Sequence, residues 1–373
     1  MLAHDEFGPE KILSVYDPRV GMRGVLVIDN TALGPAKGGI RMTSTVGVRE
    51  VMQLARTMTW KCALAGLPFG GGKAGIRADS KLMGPAKKKA LVESFAKALR
   101  PLCPSLYIAA PDMYMGEREM AWFAGANGHR AACTGKPEDL GGLPHELGST
   151  GYGVFHAARA AAPFLGLDLS RATFAVEGLG NVGRFAARFL VEAGATLVSV
   201  SDSTGTVSSR EGLDFAVLCS VKDETGSVTA YASTGRPVCQ VGPCENVFTA
   251  EADILITAAR PHVIQAGDVR HLRCRLLVEG SNIPLTLDAE ELCHETGITV
   301  VPDFVANAGG VISSYVEWKG GGKDEVFPLV EERVAGNTTR VLQAALDRGV
   351  TPRQAALSLA KERVRATRPL AET

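Results

Sequence analysis

The sequence predicts an α/β protein of two domains. Three observations predict it. The chain has 373 residues, too many for one ordinary hydrophobic core. In the second half, short apolar strands alternate with amphipathic helices, the pattern of a parallel sheet covered on both faces. Two glycine-rich segments, FGGGKAG and GLGNVG, lie one in each half, each beside a strand. Boundaries are drawn at residues 1–140 for the first domain and 141–318 for the second. A hinge and C-terminal helices, 319–373, return toward the first domain.

Taken in order, the extended runs MRGVLVID and GGIRM flank the turn-rich NTALGPAK. From Val48 the period becomes helical. Val48, Val51, Met52, Ala55, Thr59 and Cys62 fall on one face, and the helix stops at Ala65-Gly66 before Leu67-Pro68. The glycine run FGGGKAG leads into a short strand, AGIRA. KKKALVESFAKALR is helical, and LYIAAPD is a strand that ends in a loop. In the second half GYGVFHAARAAAPFL is a helix and ATFAVEG a buried strand. After GLGNVG, the residues Val182, Phe185, Ala186, Phe189 and Leu190 mark a helix face. ATLVSVSD, DILITAA, RLLVEGSN and ITVVPDFVANAGG carry further strands. KGGGKD, 319–324, is the hinge. Two helices follow, the second opening at Thr351-Pro352 with proline at the first helical position.

Composition excludes several classes. Hydrophobic residues at 46% and charged residues at 21% are globular proportions. A formal net charge of zero gives no electrostatic reason to bind nucleic acid or an anionic membrane. The opening MLAHDEFGPEK has no apolar core, so it does not read as a signal peptide, and no run is long enough to span a bilayer. A cytoplasmic protein is expected. The eight cysteines form no CxxC and the seven histidines no HExxH, so buried free thiols and no metal are expected.

GLGNVG places Gly178, Gly180 and Gly183 at GxGxxG spacing, with Asn181 and Val182 between them. The first glycine permits a tight turn, the second lets backbone approach a pyrophosphate, and the third lets the helix pack close to the strand. The helix N-terminus then offers free N–H groups and partial positive charge to phosphates. The bland alternative is a glycine-rich βα turn. The motif nevertheless follows a buried strand and opens an amphipathic helix. Asp202 ends the next strand, where an acid would bind a ribose 2′-OH. This points to NAD or NADP. A carboxylate repels a 2′-phosphate, which slightly favours NAD, although the hydroxyls of SDSTG could hold a phosphate.

Three lysines of the first half stand among glycine and apolar residues: Lys37 in GPAKGGIR, Lys61 in TMTWKCALAG and Lys73 in LPFGGGKAG. Surface lysines ordinarily have polar neighbours. One such lysine reads as a solvated loop residue; three suggest a cleft where backbone approaches a ligand. Burial and neighbouring cations lower an ammonium pKa, and a lysine tuned near ~7–8 serves as a general acid or base. GGGK is no phosphate-binding P-loop, because Leu67 stands six residues before Lys73 and Ala74 follows it. Asp112, in AAPDM, follows a strand; alone it is mild evidence.

Together the segments GPAKGGIRM, ARTMTWKCALAGLPFGGGKAGI, APDM…EREMAWFA, TGYGV, VEGLGNVG and VVPDFVANAGGVISSYVEW resemble the glutamate/leucine/phenylalanine/valine dehydrogenases, from about residue 20 to the C-terminal helices. The resemblance implies an N-terminal domain for substrate binding and oligomerisation, a C-terminal Rossmann-type dinucleotide-binding domain, a homo-oligomer, and an amino acid and its 2-oxo acid as small-molecule partners. It implies that Lys61 holds the substrate α-carboxylate, that Lys73 activates water and that Asp112 shuttles the amine proton. It places Gly38 and Gly39 beside the substrate, Thr150 and Asn282 at the nicotinamide end of the cofactor, and Asn307 in the NAGG turn at the cleft. It further implies a cleft that closes to exclude water during hydride transfer.

The resemblance also implies a choice of substrate. Glutamate enzymes carry a lysine and a serine for the γ-carboxylate, here Lys37 and Ser314; Ala110 and Val311 match the apolar walls of that pocket. A buried lysine left without a carboxylate costs several kcal/mol, so glutamate is expected over leucine, valine or phenylalanine. A silent dinucleotide-binding sensor is the reading from another class; the presence of both Lys73 and Asp112 ranks it low. One departure is GGLPHELGST, with Glu146 where the family approach to TGYG leads one to expect a positive charge.

Overall fold

The computed structural model describes residues 4–144, 147–235 and 239–367, so Glu146 lies outside the described residues. The chain forms two compact units. One comprises residues up to Leu147 with Val311–Val326 and the chain from Leu357 onward. The other comprises Gly148–Gly310 and Phe327–Ala356.

In the first unit β1 (Lys11–Asp17), β2 (Met22–Asn30), β3 (Ala36–Thr43), β4 (Gly70–Arg77) and β5 (Tyr107–Pro111) make a sheet of order β1-β2-β4-β3-β5. β1 and β4 run antiparallel to β2, while β3 runs parallel to both β4 and β5. The face toward α1 (Val48–Leu64) buries Val25, Val27, Val51 and Ala55. The other face packs Leu26, Ile28, Ile40, Met42 and Ile76 against Leu91, Val92 and Phe95 of α2 (Pro85–Ala98) and Met120 and Phe123 of α3 (Glu117–Asn127).

The glycine run at 70–72, expected to precede a short strand AGIRA, is itself the start of β4. Each of these glycines faces a neighbour where a side chain would stand. A Cβ on Gly70 would overlap the Asn30 carbonyl, and one on Gly71 would overlap Thr59 and the Ala55 carbonyl of α1. Close helix-on-strand approach, rather than turning, accounts for glycine here.

In the second unit α4 (Ser149–Ala161) precedes the strands β6 (Thr173–Glu177), β7 (Thr196–Asp202), β8 (Gly205–Ser208), β9 (Gln240–Gly242), β10 (Ile254–Thr257), β11 (Leu276–Glu279) and β12 (Thr299–Val301). Their order is β12-β11-β10-β6-β7-β8-β9. The first five in this order are parallel, and β8 and β9 add an antiparallel edge that the sequence reading did not foresee. The helices α5 (Asn181–Glu192), α6 (Phe215–Thr225), α7 (Ala266–Val269), α8 (Leu287–Glu295) and α9 (Asp303–Ala306) belong to the same unit. Buried runs such as Ile254, Leu255, Ile256 and Leu276, Leu277, Val278 show why these strands lack polar alternation.

α10 (Gly309–Trp318), α11 (Lys323–Arg348) and α12 (Pro352–Thr367) each contribute residues to both units. Residues 311–318, drawn above with the second domain, group with the first unit. Tyr315 and Trp318 set ring edges against Phe69, with centroids 5.9 and 5.1 Å away. Glu317 is buried against the chain at Gly135–Leu143. All eight cysteines are free thiols, five of them buried. No helix among the described residues is long and apolar enough to cross a membrane.

His156 of α4 is buried in the second unit, and neither ring nitrogen has a hydrogen-bond partner among the described residues. It lies against Tyr152, with Glu331 3.9 Å from its Nδ1. Burial pushes its pKa down to about 4, with Arg159 adding to the effect and Glu331 opposing it. The unfolded chain therefore binds a proton that the native one refuses between the ordinary histidine value and about 4. Stability from this group is present at neutral pH and is lost as pH falls through that window. Urea unfolding at pH 7 and pH 5 should show a smaller acid loss for His156→Leu than for the parent; equal losses would remove His156 as a source of acid lability.

Candidate active site

Three adjacent strands of the first unit carry the candidate substrate residues. Lys37 on β3 is 1% exposed and donates to the Ala109 carbonyl (2.8 Å) and to Thr134 Oγ1 (2.6 Å). Burial pushes its ammonium down to about pKa 7, Glu317 being the largest opposing influence. Lys73 on β4 pairs with Asp112, which follows β5, at 2.7 Å from Nζ to Oδ2. The same oxygen accepts Arg41 Nε at 3.1 Å, and Arg41 Nη1 reaches Glu50 Oε1 at 2.6 Å. Burial works against ionisation of Asp112, but Lys73 and Arg41 outweigh it and hold the carboxyl below its ordinary pKa.

Glycines bring these groups together. A Cβ on Gly38 would fall within bonding range of the Gly72 carbonyl, and one on Gly39 would meet the Pro111 carbonyl and Asp112 Cβ. Only unsubstituted backbone lets β3 lie this close to the end of β5. Gly39 pairs with Ala110, which is half-buried. Lys61 is buried in the last turn of α1, the helix laid against Gly71. Val311 is buried and Ser314 half-buried on α10. One turn beyond Ser314, Glu317 accepts from Gly135 N (2.8 Å), Leu143 N (3.1 Å) and Lys136 Nζ (2.5 Å). These bonds tie α10 to the loop that carries Thr134, the partner of Lys37.

The second unit assembles the candidate cofactor residues. GLGNVG joins β6 to α5 where the sheet changes direction, since β7 continues on one side of β6 and β10 lies on the other. Ligands of open α/β sheets bind at such a point. Gly178 has φ +91° and no room for a Cβ beside Ala259. A Cβ on Gly183 would overlap the Gly178 carbonyl, so the helix is packed tightly on the turn. A Cβ on Gly180 would meet nothing within 4 Å, and Gly180 leaves the α5 N-terminus without a side-chain cap. An open approach to uncapped N–H groups fits a pyrophosphate. Asn181 and Val182 open the helix, half-buried. Asn307 is buried and donates to Asn282 Oδ1 at 3.0 Å and to the Gly280 carbonyl at 3.3 Å. Thr150, on the first turn of α4, lies where a Cβ on Gly310 would touch its hydroxyl. Asp202 is brought to the end of β7, but its carboxylate is engaged within the protein. Oδ1 accepts Thr204 N (2.8 Å) and Oγ1 (2.5 Å), and Oδ2 accepts Lys222 Nζ (2.5 Å) and Val228 N (2.9 Å).

Sequence reasoning did not single out Arg41, Thr134, Lys136, Glu317 or Lys222. For Lys136 a signal exists, because TGKP flanks a lysine with glycine and proline much as the other three are flanked. Arg41 lies inside GGIRM without any mark of its partners, and the remaining contacts join residues far apart in the chain.

A dinucleotide turn at a sheet switch point, in a chain that also pairs a buried lysine with a carboxylate, points to the class of nicotinamide-dependent dehydrogenases. Known proteins narrow the class. The family model Glutamate/Leucine/Phenylalanine/Valine dehydrogenase matches residues 141–369, and the Glu/Leu/Phe/Val dehydrogenase dimerisation domain matches residues 9–128. The chain is similar to glutamate dehydrogenase of Aeropyrum pernix, 38% identical over 90% of this chain and 83% of the relative. It is also similar to NADP-specific glutamate dehydrogenase of Saccharolobus shibatae, 40% identical over 87% and 81%. Among solved structures it resembles the leucine-bound hetero-hexameric glutamate dehydrogenase of Thermus thermophilus, with TM-score 0.86, 33% identity and coverage of 98% of this chain and 90% of that one. The chain belongs to the Glu/Leu/Phe/Val dehydrogenase family; it is an amino-acid dehydrogenase that uses NAD or NADP.

The glycine turn separates folding from ligand approach. Gly180→Val should leave the melting temperature near that of the parent yet weaken dinucleotide binding by about tenfold or more, because its side chain enters only the space a phosphate would use. Gly183→Ala should lower the melting temperature. Unaltered dinucleotide affinity in Gly180→Val, read by fluorescence titration, would place the pyrophosphate elsewhere.

Proposed function

We infer that the chain catalyses reversible oxidative deamination of L-glutamate to 2-oxoglutarate and ammonia. The observation that carries this reading is Lys37. It is a buried ammonium bonded to two neutral oxygens, and among the described residues no carboxylate is within ion-pair distance of it. A γ-carboxylate would supply the missing countercharge, and an apolar side chain would leave the cation uncompensated. The glutamate dehydrogenases to which the chain is similar support the same substrate. Ser314, with Ala110 and Val311 as walls, completes this reading of the side-chain pocket, and Lys61 holds the α-carboxylate.

Bound NAD or NADP supplies the acceptor for the hydride that leaves the substrate Cα. The chain's own groups handle the protons. Asp112, kept ionised by Lys73 and Arg41, takes a proton from the substrate ammonium, which frees the amine for oxidation to the iminium. Lys73, once it has released its own proton to solvent, takes the proton of a water that adds to the iminium carbon. Asp112 returns its proton to the nitrogen, and as ammonia departs the hydroxyl of the carbinolamine gives its proton to the Asp112 carboxylate, which leaves the 2-oxo acid. The cationic side chains stabilise the oxygen charge that develops during water addition.

Support for a preference between the two cofactors changes in the structure. The lean toward NAD rests on an uncompensated charge at Asp202, whereas Lys222 neutralises that charge. We therefore read the enzyme as accepting both nucleotides. The family match over a dimerisation domain supports a homo-oligomer, checked by solution mass, and a cytoplasmic enzyme is part of the same reading.

Four measurements test these assignments. The parent should show its highest kcat/KM with glutamate, and a preference for leucine, valine or phenylalanine would overturn the substrate. Lys37→Leu should cut kcat/KM for glutamate by about 10²-fold or more with dinucleotide affinity retained. Lys73→Ala and Asp112→Asn should each lower kcat by about 10²–10⁴-fold. Lys222→Ala should raise the ratio of kcat/KM for NAD over NADP by exposing the Asp202 charge; a constant ratio would remove this pair from cofactor choice.

A further inference from the structure

The geometry points to Arg41 as a positioning residue of the reaction: held by Glu50, it fixes Asp112 in place and supplies a permanent positive charge to it while Lys73 is without its proton. This rests on the proton-transfer role of Asp112 proposed above.

The arrangement is a relay of four charges on four segments of the chain. Glu50 stands in the first turn of α1, Arg41 on β3, Lys73 on β4 and Asp112 just beyond β5. Arg41 spans the two acids, with Nη1 2.6 Å from Glu50 Oε1 and Nε 3.1 Å from Asp112 Oδ2. The guanidinium and the Asp112 carboxylate are each 17% exposed, so solvent screens their attraction only partly. Lys73 and Arg41 converge on one oxygen of Asp112, which leaves the second oxygen to a substrate.

Consider the proton inventory. The proposed reaction needs Asp112 as a base at the start and Lys73 as a base later. A pair consisting only of Lys73 and Asp112 meets both needs poorly, because loss of the lysine proton removes the charge that keeps the carboxylate ionised and invites transfer of one proton between the two. An arginine does not give up its proton at any working pH. Its charge at Asp112 is therefore constant through the cycle, and Glu50 prevents the long side chain from swinging away. The groups facing Asp112 are Lys73 from β4 and Arg41 from β3, with Glu50 of α1 behind Arg41. Tyr107 is on the strand that precedes Asp112; burial raises its phenol, which donates to the Gly38 carbonyl. Burial alone would raise the Asp112 carboxyl, and the two cations reverse that.

The experiment is the pH dependence of glutamate turnover by full-length Arg41→Gln, Arg41→Lys, Asp112→Asn and parent enzyme, with folding checked by melting temperature and dinucleotide titration. An opposite charge at this distance lowers a carboxyl pKa by about 1–3 units. The acidic limb of kcat should thus move up by about one unit or more in Arg41→Gln, with kcat reduced and dinucleotide affinity retained. Arg41→Lys, which restores charge without the fork, should return the limb most of the way toward the parent. A limb at the parent position in Arg41→Gln overturns the inference. So does a rise in the KM for glutamate with the limb unmoved, which would make Arg41 a substrate contact. If Asp112→Asn turns over like the parent, the proposed role of Asp112 fails; if Asp112→Asn is inactive and Arg41→Gln keeps the parent limb, only the inference about Arg41 fails.

Discussion

Steric exclusion of side chains along β3 and β4 is the constraint on which the rest of the first unit depends. Gly38 and Gly72 meet backbone to backbone, Gly39 meets the end of β5, and Gly71 meets α1. Any Cβ at these positions would push apart the layers that bear Lys37, Lys73, Asp112 and Lys61. Glycine in a strand weakens it through lost packing and greater entropy in the unfolded chain. Here that loss is offset by the apolar residues of the same strands, among them Ile40, Met42, Ala74 and Ile76, all fully buried. Strand stability and charged-group placement are thus divided between neighbouring residues of one strand.

Within that frame the two key lysines receive opposite treatment. Lys73 is given an anion, Asp112, which in turn has a second cation. Lys37 is given only oxygens without charge. A cation of the first kind is balanced before any ligand arrives. One of the second kind is incomplete, and its burial makes the ammonium easier to discharge. The difference separates a lysine already paired with an acid, between which a proton can pass, from one whose charge is completed only by an arriving carboxylate. The second unit follows a similar division. Gly178 and Gly183 are spent on internal packing, and Gly180 alone leaves open space at the α5 terminus.

Much of this was legible in the chain. The α/β class, α1 from Val48, the turn at Gly178–Gly183 and the strand ending at Asp202 follow from periodicity and glycine spacing. Other features were not. The start of β4 at Gly70 was not legible, because the reason for glycine at Gly71 is a close neighbour 12 residues earlier in the chain, Thr59. The edge strands β8 and β9 are only four and three residues long, too short to show a period. Arg41, Thr134 and Glu317 act through partners 71, 97 and 181 positions away (Asp112 for Arg41, Lys37 for Thr134, Lys136 for Glu317). Lys222 masks the Asp202 charge from 20 positions away. Local pattern reports elements; it does not report which distant charges will be paired.

The large sheet ends in β12 on one side and β9 on the other, each only three residues long. Strands so short present few unpaired amide groups, and the last one is largely exposed and polar at its start. A foreign chain finds too little template there to extend the ladder. In the folded unit a sheet rich in contiguous valine, leucine and isoleucine is thereby kept from pairing edge to edge with a second copy.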